Sequence, residues 1–168
     1  MFELKTIHEQ TIPTALDKAV RYRLLNEPGQ AESICRDILR IDPDNRKAII
    51  TLLLALTDQF PRGLTQRLTE AKELAQKLIS DYERAYYSGI VLERRAKCLY
   101  HRSNPGRGPV TYHALREAMA LFEQAEALRP PDNDDAILRW NACVRLIMKH
   151  PDIGPEPDED EHPPVQLE

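Results

Sequence analysis

The chain has 168 residues, 42% of them apolar and 30% charged, with a formal net charge of −4, which is enough for one domain with a real core. No stretch approaches the ~18 consecutive apolar residues of a membrane span, and Met1–Lys5 lacks the basic-then-apolar pattern of a secretory leader. Cys35, Cys98 and Cys143 are odd in number and form no CxxC pair, so a cytoplasmic chain with small core thiols is expected.

Residues 1–12 are weakly patterned and read as an N-terminal extension. Pro13 suits the first turn of a helix, where its missing N–H costs nothing, and Ala15, Ala19, Tyr22 and Leu25 give that helix an apolar stripe. Glu27-Pro28-Gly29 reads as its end. A second helix spans 30–41 with Ala31, Ile34, Cys35 and Ile38 inward, and Asp42-Pro43-Asp44-Asn45 stops it and offers a cap to the next. The third helix, 46–59, is apolar nearly all round and calls for neighbours on several sides. Phe60-Pro61-Arg62-Gly63 breaks the chain before a fourth helix over 64–80. The fifth, 82–102, carries Ala85, Gly89, Leu92, Ala96 and Leu99, with small residues where a neighbour must come close. Residues 103–109 are too rich in Pro and Gly for helix. A sixth helix covers 110–128 and a seventh 134–149. No strand pattern appears, so the fold class is all-α.

One packing rule recurs. Ala118, Phe122, Ala125 and Pro130 repeat the spacing of Ala31, Cys35, Ile38 and Pro43, and Ala71, Ala75 and Leu78 repeat it more weakly, with Glu83 where proline is expected. Short helices joined by a few residues lie antiparallel and bury their stripes only by stacking. This alanine–large–alanine–proline spacing resembles the tetratricopeptide repeat family, whose first helix reads W-x2-L-G-x2-Y. Tyr22 matches that tyrosine and Ser88-Gly89 echoes its Leu-Gly. The chain departs in lacking the Trp and in its longer period. The resemblance covers residues 13–149. It implies a right-handed α-solenoid of about three repeats with the seventh helix as a C-terminal cap.

What the resemblance further implies is a non-catalytic protein–protein interaction module (an adaptor, scaffold or substrate chaperone) gripping a peptide or helix of a partner in a concave groove. The first helices of each pair would line it, with Leu16, Val20, Ile50, Leu54, Tyr86 and Ile90 facing in and Arg23, Lys47 and Lys97 at its edges. The family's Lys/Asn carboxylate clamp is missing, since its positions hold Leu16, Val20, Thr51, Glu83 and Tyr87. The alternative is a structural subunit that self-associates or docks through an exposed face of helix three or seven.

Enzyme chemistry finds no foothold. The five histidines form no i, i+4 pair, so no metal site is expected. Gly106-Arg107-Gly108 lacks the spacing and the preceding strand of a phosphate loop. No cofactor and no membrane contact is expected. Arg94, Arg95, Lys97, His101 and Arg102 make a basic face on the fifth helix. The first 150 residues carry 23 Lys and Arg against 20 Asp and Glu, too small an excess for nucleic acid. That face is expected to be solvated and locally paired, with Glu93 or Glu117, or to hold acidic protein segments. Residues 150–168 are proline-rich and acidic, so a disordered tail is expected there. Its 18 residues from 151 onward reach ~55 Å when extended, enough to fold back on the basic face.

Overall fold

The computed structural model describes residues 2–102 and 107–156. Among them are seven α-helices and no strand: α1 Ile12–Leu24, α2 Pro28–Leu39, α3 Arg46–Asp58, α4 Leu64–Gln76, α5 Asp81–His101, α6 Arg107–Ala127 and α7 Asp135–Lys149. Short 3-10 turns at Glu9–Thr11 and Phe60–Arg62 lead into α1 and α4. Each helix packs on the next in sequence, and α1, α3, α5 and α7 also touch in succession.

The connections follow from local chemistry. Pro13 lies in the first turn of α1, and Pro28 opens α2. Pro28-Gly29 therefore starts a helix instead of separating two. The break falls at Asn26, whose φ of 60° puts it in the left-handed region that Asn tolerates better than most residues. Gly108 and Pro109 likewise sit in the first turn of α6, where the N–H groups have no intrahelical partner to lose. Asn45 caps α3 by accepting a hydrogen bond from the Ala48 N–H at 3.0 Å.

The recurrent small–large–small spacing marks the core. Ala31, Cys35, Ile38, Ala71, Ala75, Ala118, Phe122 and Ala125 have no exposed surface. α3 is covered by α1, α2, α4 and α5, as its apolar circumference requires. Where α5 crosses α6, Gly89 lies under Phe122. A Cβ on Gly89 would stand 2.6 Å from the Phe122 ring, so glycine is what lets the two helices approach.

Paired residue numbers give the direction of the odd helices. Between α3 and α5, Arg46 pairs with Glu83 and Asp58 with Arg94. Between α5 and the chain around α7, Tyr82 donates to Asn133 at 3.2 Å, and the Tyr100 hydroxyl lies 2.9 Å from His150 Nδ1. The numbers rise together on both sides, so α3, α5 and α7 run parallel.

The chain does not leave the body at residue 150. Ile153 is 2% exposed and belongs to the same core as Phe122, and the Asp152 carbonyl lies so close to Gly108 that any Cβ there would collide with it. Residues 150–153 thus pack on the body, past the expected boundary at 150. The expected tail from 157 to 168 and the loop residues 103–106 fall outside the described residues. At the other end Ile7 packs on the core beside α1, whereas Phe2 and Leu4 are exposed.

Candidate functional site

A ladder of charges links α1, α3, α5 and α7. Asp58, at the end of α3, accepts from Arg23 Nε of α1 and from Arg94 Nη1 of α5, both at 2.6 Å. One carboxylate thus joins three helices. One step on, Glu93 of α5 accepts from Lys97 four residues later and meets Arg139 of α7 at 3.4 Å.

Glu93 is fully buried, while Lys97 and Arg139 keep 37% and 33% of their side chains exposed. A buried carboxylate persists only when paired, so the two cations are held with their stems packed and their heads toward water. Nearby Glu93 holds the Arg139 guanidinium pKa above its ordinary value, despite burial that acts to lower it.

Beside this ladder opens a cleft of about 880 Å³. α1 contributes Arg23 and Leu24, α3 contributes Thr57 and Asp58, and the following turn adds Phe60 and Pro61. α5 contributes Arg94, Lys97, Cys98, His101 and Arg102, and α7 contributes Arg139. The cleft is asymmetric. Its α5 and α7 side carries four cations, and its α1 and α3 side offers Arg23, paired with Asp58, and Leu24, 80% exposed, with Pro61 also exposed and Phe60 buried. An anionic chain with an apolar residue further along fits that distribution.

The expected site residues divide. Arg23, Arg94, Lys97, His101 and Arg102 all line this cleft. Leu16 and Ile90 do not face a groove: they are 9% and 1% exposed and lie within core clusters. The reason for Ile90 is that α5 is contacted by α3, α4, α6 and α7, which leaves little of its surface free. Ile50 and Leu54 are half-buried against the core, Val20 is 45% exposed and Lys47 is exposed. Tyr86 is part of an aromatic cluster, stacked on Tyr82 at 5.7 Å and edge-on to Tyr87 at 5.1 Å. Burial raises its hydroxyl pKa, which marks it more as wall than as free surface. Arg95 turns away toward Glu117 of α6 at 3.8 Å.

Sequence reasoning missed Leu24, Asp58, Phe60 and Arg139. A signal for Arg139 was available. Ala136, Arg139 and Cys143 follow steps of three and four, as do Gly89, Glu93 and Ala96 on α5. An acid and a base interrupting two buried stripes point to each other.

The site offers little for other chemistry. Among the described residues no three His, Cys, Asp or Glu side chains converge on a point that could hold a metal ion. Burial pushes the Cys35 and Cys143 thiols up to about 12, far from the thiolate a nucleophile needs. No helix is long and apolar enough to cross a membrane among the described residues. Comparison of the chain with family models, with curated proteins and with solved structures finds no match in any of the three.

Proposed function

We propose that this chain is a non-catalytic protein-interaction module of tetratricopeptide-like design, and that the cleft across α1, α3, α5 and α7 receives an acidic segment of a partner protein. The observation that carries this reading is the cleft itself: four cations on α5 and α7, with Leu24 and Pro61 exposed beside Arg23 at its other end. Exposed leucine beside a cationic rim is the combination that gives a peptide both an anchor and a steered approach. Helices that each pack on the next, with α3, α5 and α7 parallel, support a stack of helix pairs, which we take to be right-handed with this face inside. Three cysteines that are all free and buried are compatible with a cytoplasmic setting.

Docking as a structural subunit is the second reading. It has α7 to use, where Leu138 and Met148 are 62% and 77% exposed, but not α3, which is covered by four neighbours.

Affinity capture from source-cell extract tests the first reading. The full chain is compared with a His101→Glu, Arg102→Glu double variant, which places negative charge at two exposed rim positions, and with Arg116→Glu on α6. Loss of the captured protein in the rim variant alone is the expected result. Equal capture by all three chains would remove the cleft from the account.

A further inference from the structure

Residues 157–168, which follow the last described residue, read Pro-Asp-Glu-Asp-Glu-His-Pro-Pro-Val-Gln-Leu-Glu. Four consecutive acids come first and two apolar residues, Val165 and Leu167, come after. We infer that this segment docks in cis across the cleft of its own chain, with Asp158–Glu161 on the cations of α5 and α7 and Val165 and Leu167 over Leu24 and Pro61. The inference rests on that cleft being the ligand site proposed above and gives it a built-in competitor.

Three observations carry it. The first is where the described chain ends. The Tyr100 hydroxyl of α5 donates to Asp152 at 3.3 Å and sits 2.9 Å from His150. The chain therefore passes the C-terminal end of α5 at Tyr100, the residue before His101 of the cleft lining. Asp158 follows Glu156 by two residues, a span of about 7 Å.

The second is charge. The cleft holds Arg23, Arg94, Lys97, Arg102 and Arg139, and the acids among them are Asp58 and the buried Glu93 behind Lys97. Five cations against two carboxylates leave positive charge uncompensated, and His101 and Arg102 make no ion pair among the described residues.

The third is order along the chain. Crossing from α7 to α1 passes three helix steps of about 8–10 Å each. The 12 residues of the segment extend about 40 Å. Val165 lies four residues beyond Glu161, about 13 Å further on, and a crossing in that direction meets the cations of α7 and α5 before Leu24, which stands beside Arg23 on α1. The sequence of acids and then apolar residues matches the sequence of cations and then apolar surface. A tether this short gives an effective concentration of about millimolar, so individually weak contacts suffice.

Paramagnetic broadening in the full chain measures this contact directly, with no partner present. A spin label is placed on Val165→Cys, the native thiols being buried. Amide signals of Lys97, His101, Leu24 and Asn26 are read at about 20 mM and about 500 mM salt, where screening differs strongly. The same label on a chain carrying Asp158→Asn, Glu159→Gln, Asp160→Asn and Glu161→Gln supplies the baseline for mere tethering. The expected result is that Leu24 and Asn26, the far end of the cleft, lose roughly half their intensity or more at low salt and recover at high salt, with no such loss in the neutral segment. Broadening of Leu24 that is equal with the neutral segment would overturn the inference. So would absence of broadening there, or broadening that appears only when spin-labelled chains are mixed with separate isotope-labelled ones, which would assign the contact to a second copy. None of these outcomes bears on capture of a partner, so this inference can fail while the binding reading stands.

Discussion

Replacing Glu93 by glutamine tests whether the α5–α7 bridge is a structural element or a surface accident. The substitution keeps the shape and removes the charge. Glu93 has no exposure, accepts from Lys97 and meets Arg139 at 3.4 Å. Breaking a fully buried pair by removing one partner costs about 3–5 kcal/mol, because the remaining charge is stranded. Here the stranded groups are two cations that still reach water, at 37% and 33% exposure, so part of that penalty is relieved. The relevant scale becomes that of hydrogen bonds to charged groups, about 1.5–3 kcal/mol, and we expect Glu93→Gln to cost about 2 kcal/mol. The assay is urea unfolding, read as a lower midpoint at unchanged slope. The control is Arg95→Met on the same helix. Its partner Glu117 lies 3.8 Å away and is 60% exposed, so that change should cost about 1 kcal/mol or less. Equal midpoints for the two variants would refute the reasoning.

Other outcomes follow from the same packing. Gly89→Ala gains helix propensity of about 1 kcal/mol but drives a Cβ into the Phe122 ring at 2.6 Å, and overpacking of that kind costs about 1–3 kcal/mol. Net destabilisation is expected in urea, and the effect should shrink or reverse in a Phe122→Leu background, where the ring is absent. Asn45→Ala removes the cap on α3 and should cost about 1 kcal/mol in the same assay. In alkali, the thiols of Cys35 and Cys143 are raised by burial from 9.0 to about 12, and Tyr87 from 10.0 to about 12. The folded state holds these protons more tightly than the unfolded one. Their contribution is whole below pH 9 and is lost as the pH rises toward 12, so the urea midpoint should fall across that window. On the acid side, burial acts to raise the Glu32 pKa, but hydrogen bonds from Arg36 and Gln59 outweigh it and leave it below the ordinary 4.5. Stability from that group is present above 4.5 and is lost as the pH falls through its folded value.

The helices were legible in the sequence because their burial pattern is repeated. Ala118, Phe122 and Ala125 sit at positions where only small–large–small fits, and all three have no exposed surface. Boundaries were less legible where Pro and Gly occur together. Pro28-Gly29 and Gly108-Pro109 look like breaks, yet each sits in a first turn, where a missing N–H does no harm. The site was half legible. A basic stripe on α5 could be read at spacings of three and four. Its counterparts could not, because Asp58 lies 35 residues from Arg23 and Arg139 lies 46 from Glu93, and the register between helices decides which residues meet. Ile90 illustrates the converse: its spacing suits an inner face, but it is buried on a helix that four others contact.

We propose that ligands meet this protein in the cleft across its odd-numbered helices. The most direct measurement is site-specific photo-crosslinking in source-cell extract, with the photoreactive residue placed in turn at Leu24 in the cleft, at Thr69 on α4 and at Leu138 on α7, all exposed. One crosslinked protein is expected from Leu24, reduced by the His101→Glu, Arg102→Glu variant, and none from Thr69 or Leu138. Crosslinking from Thr69 or Leu138 with none from Leu24 would contradict it.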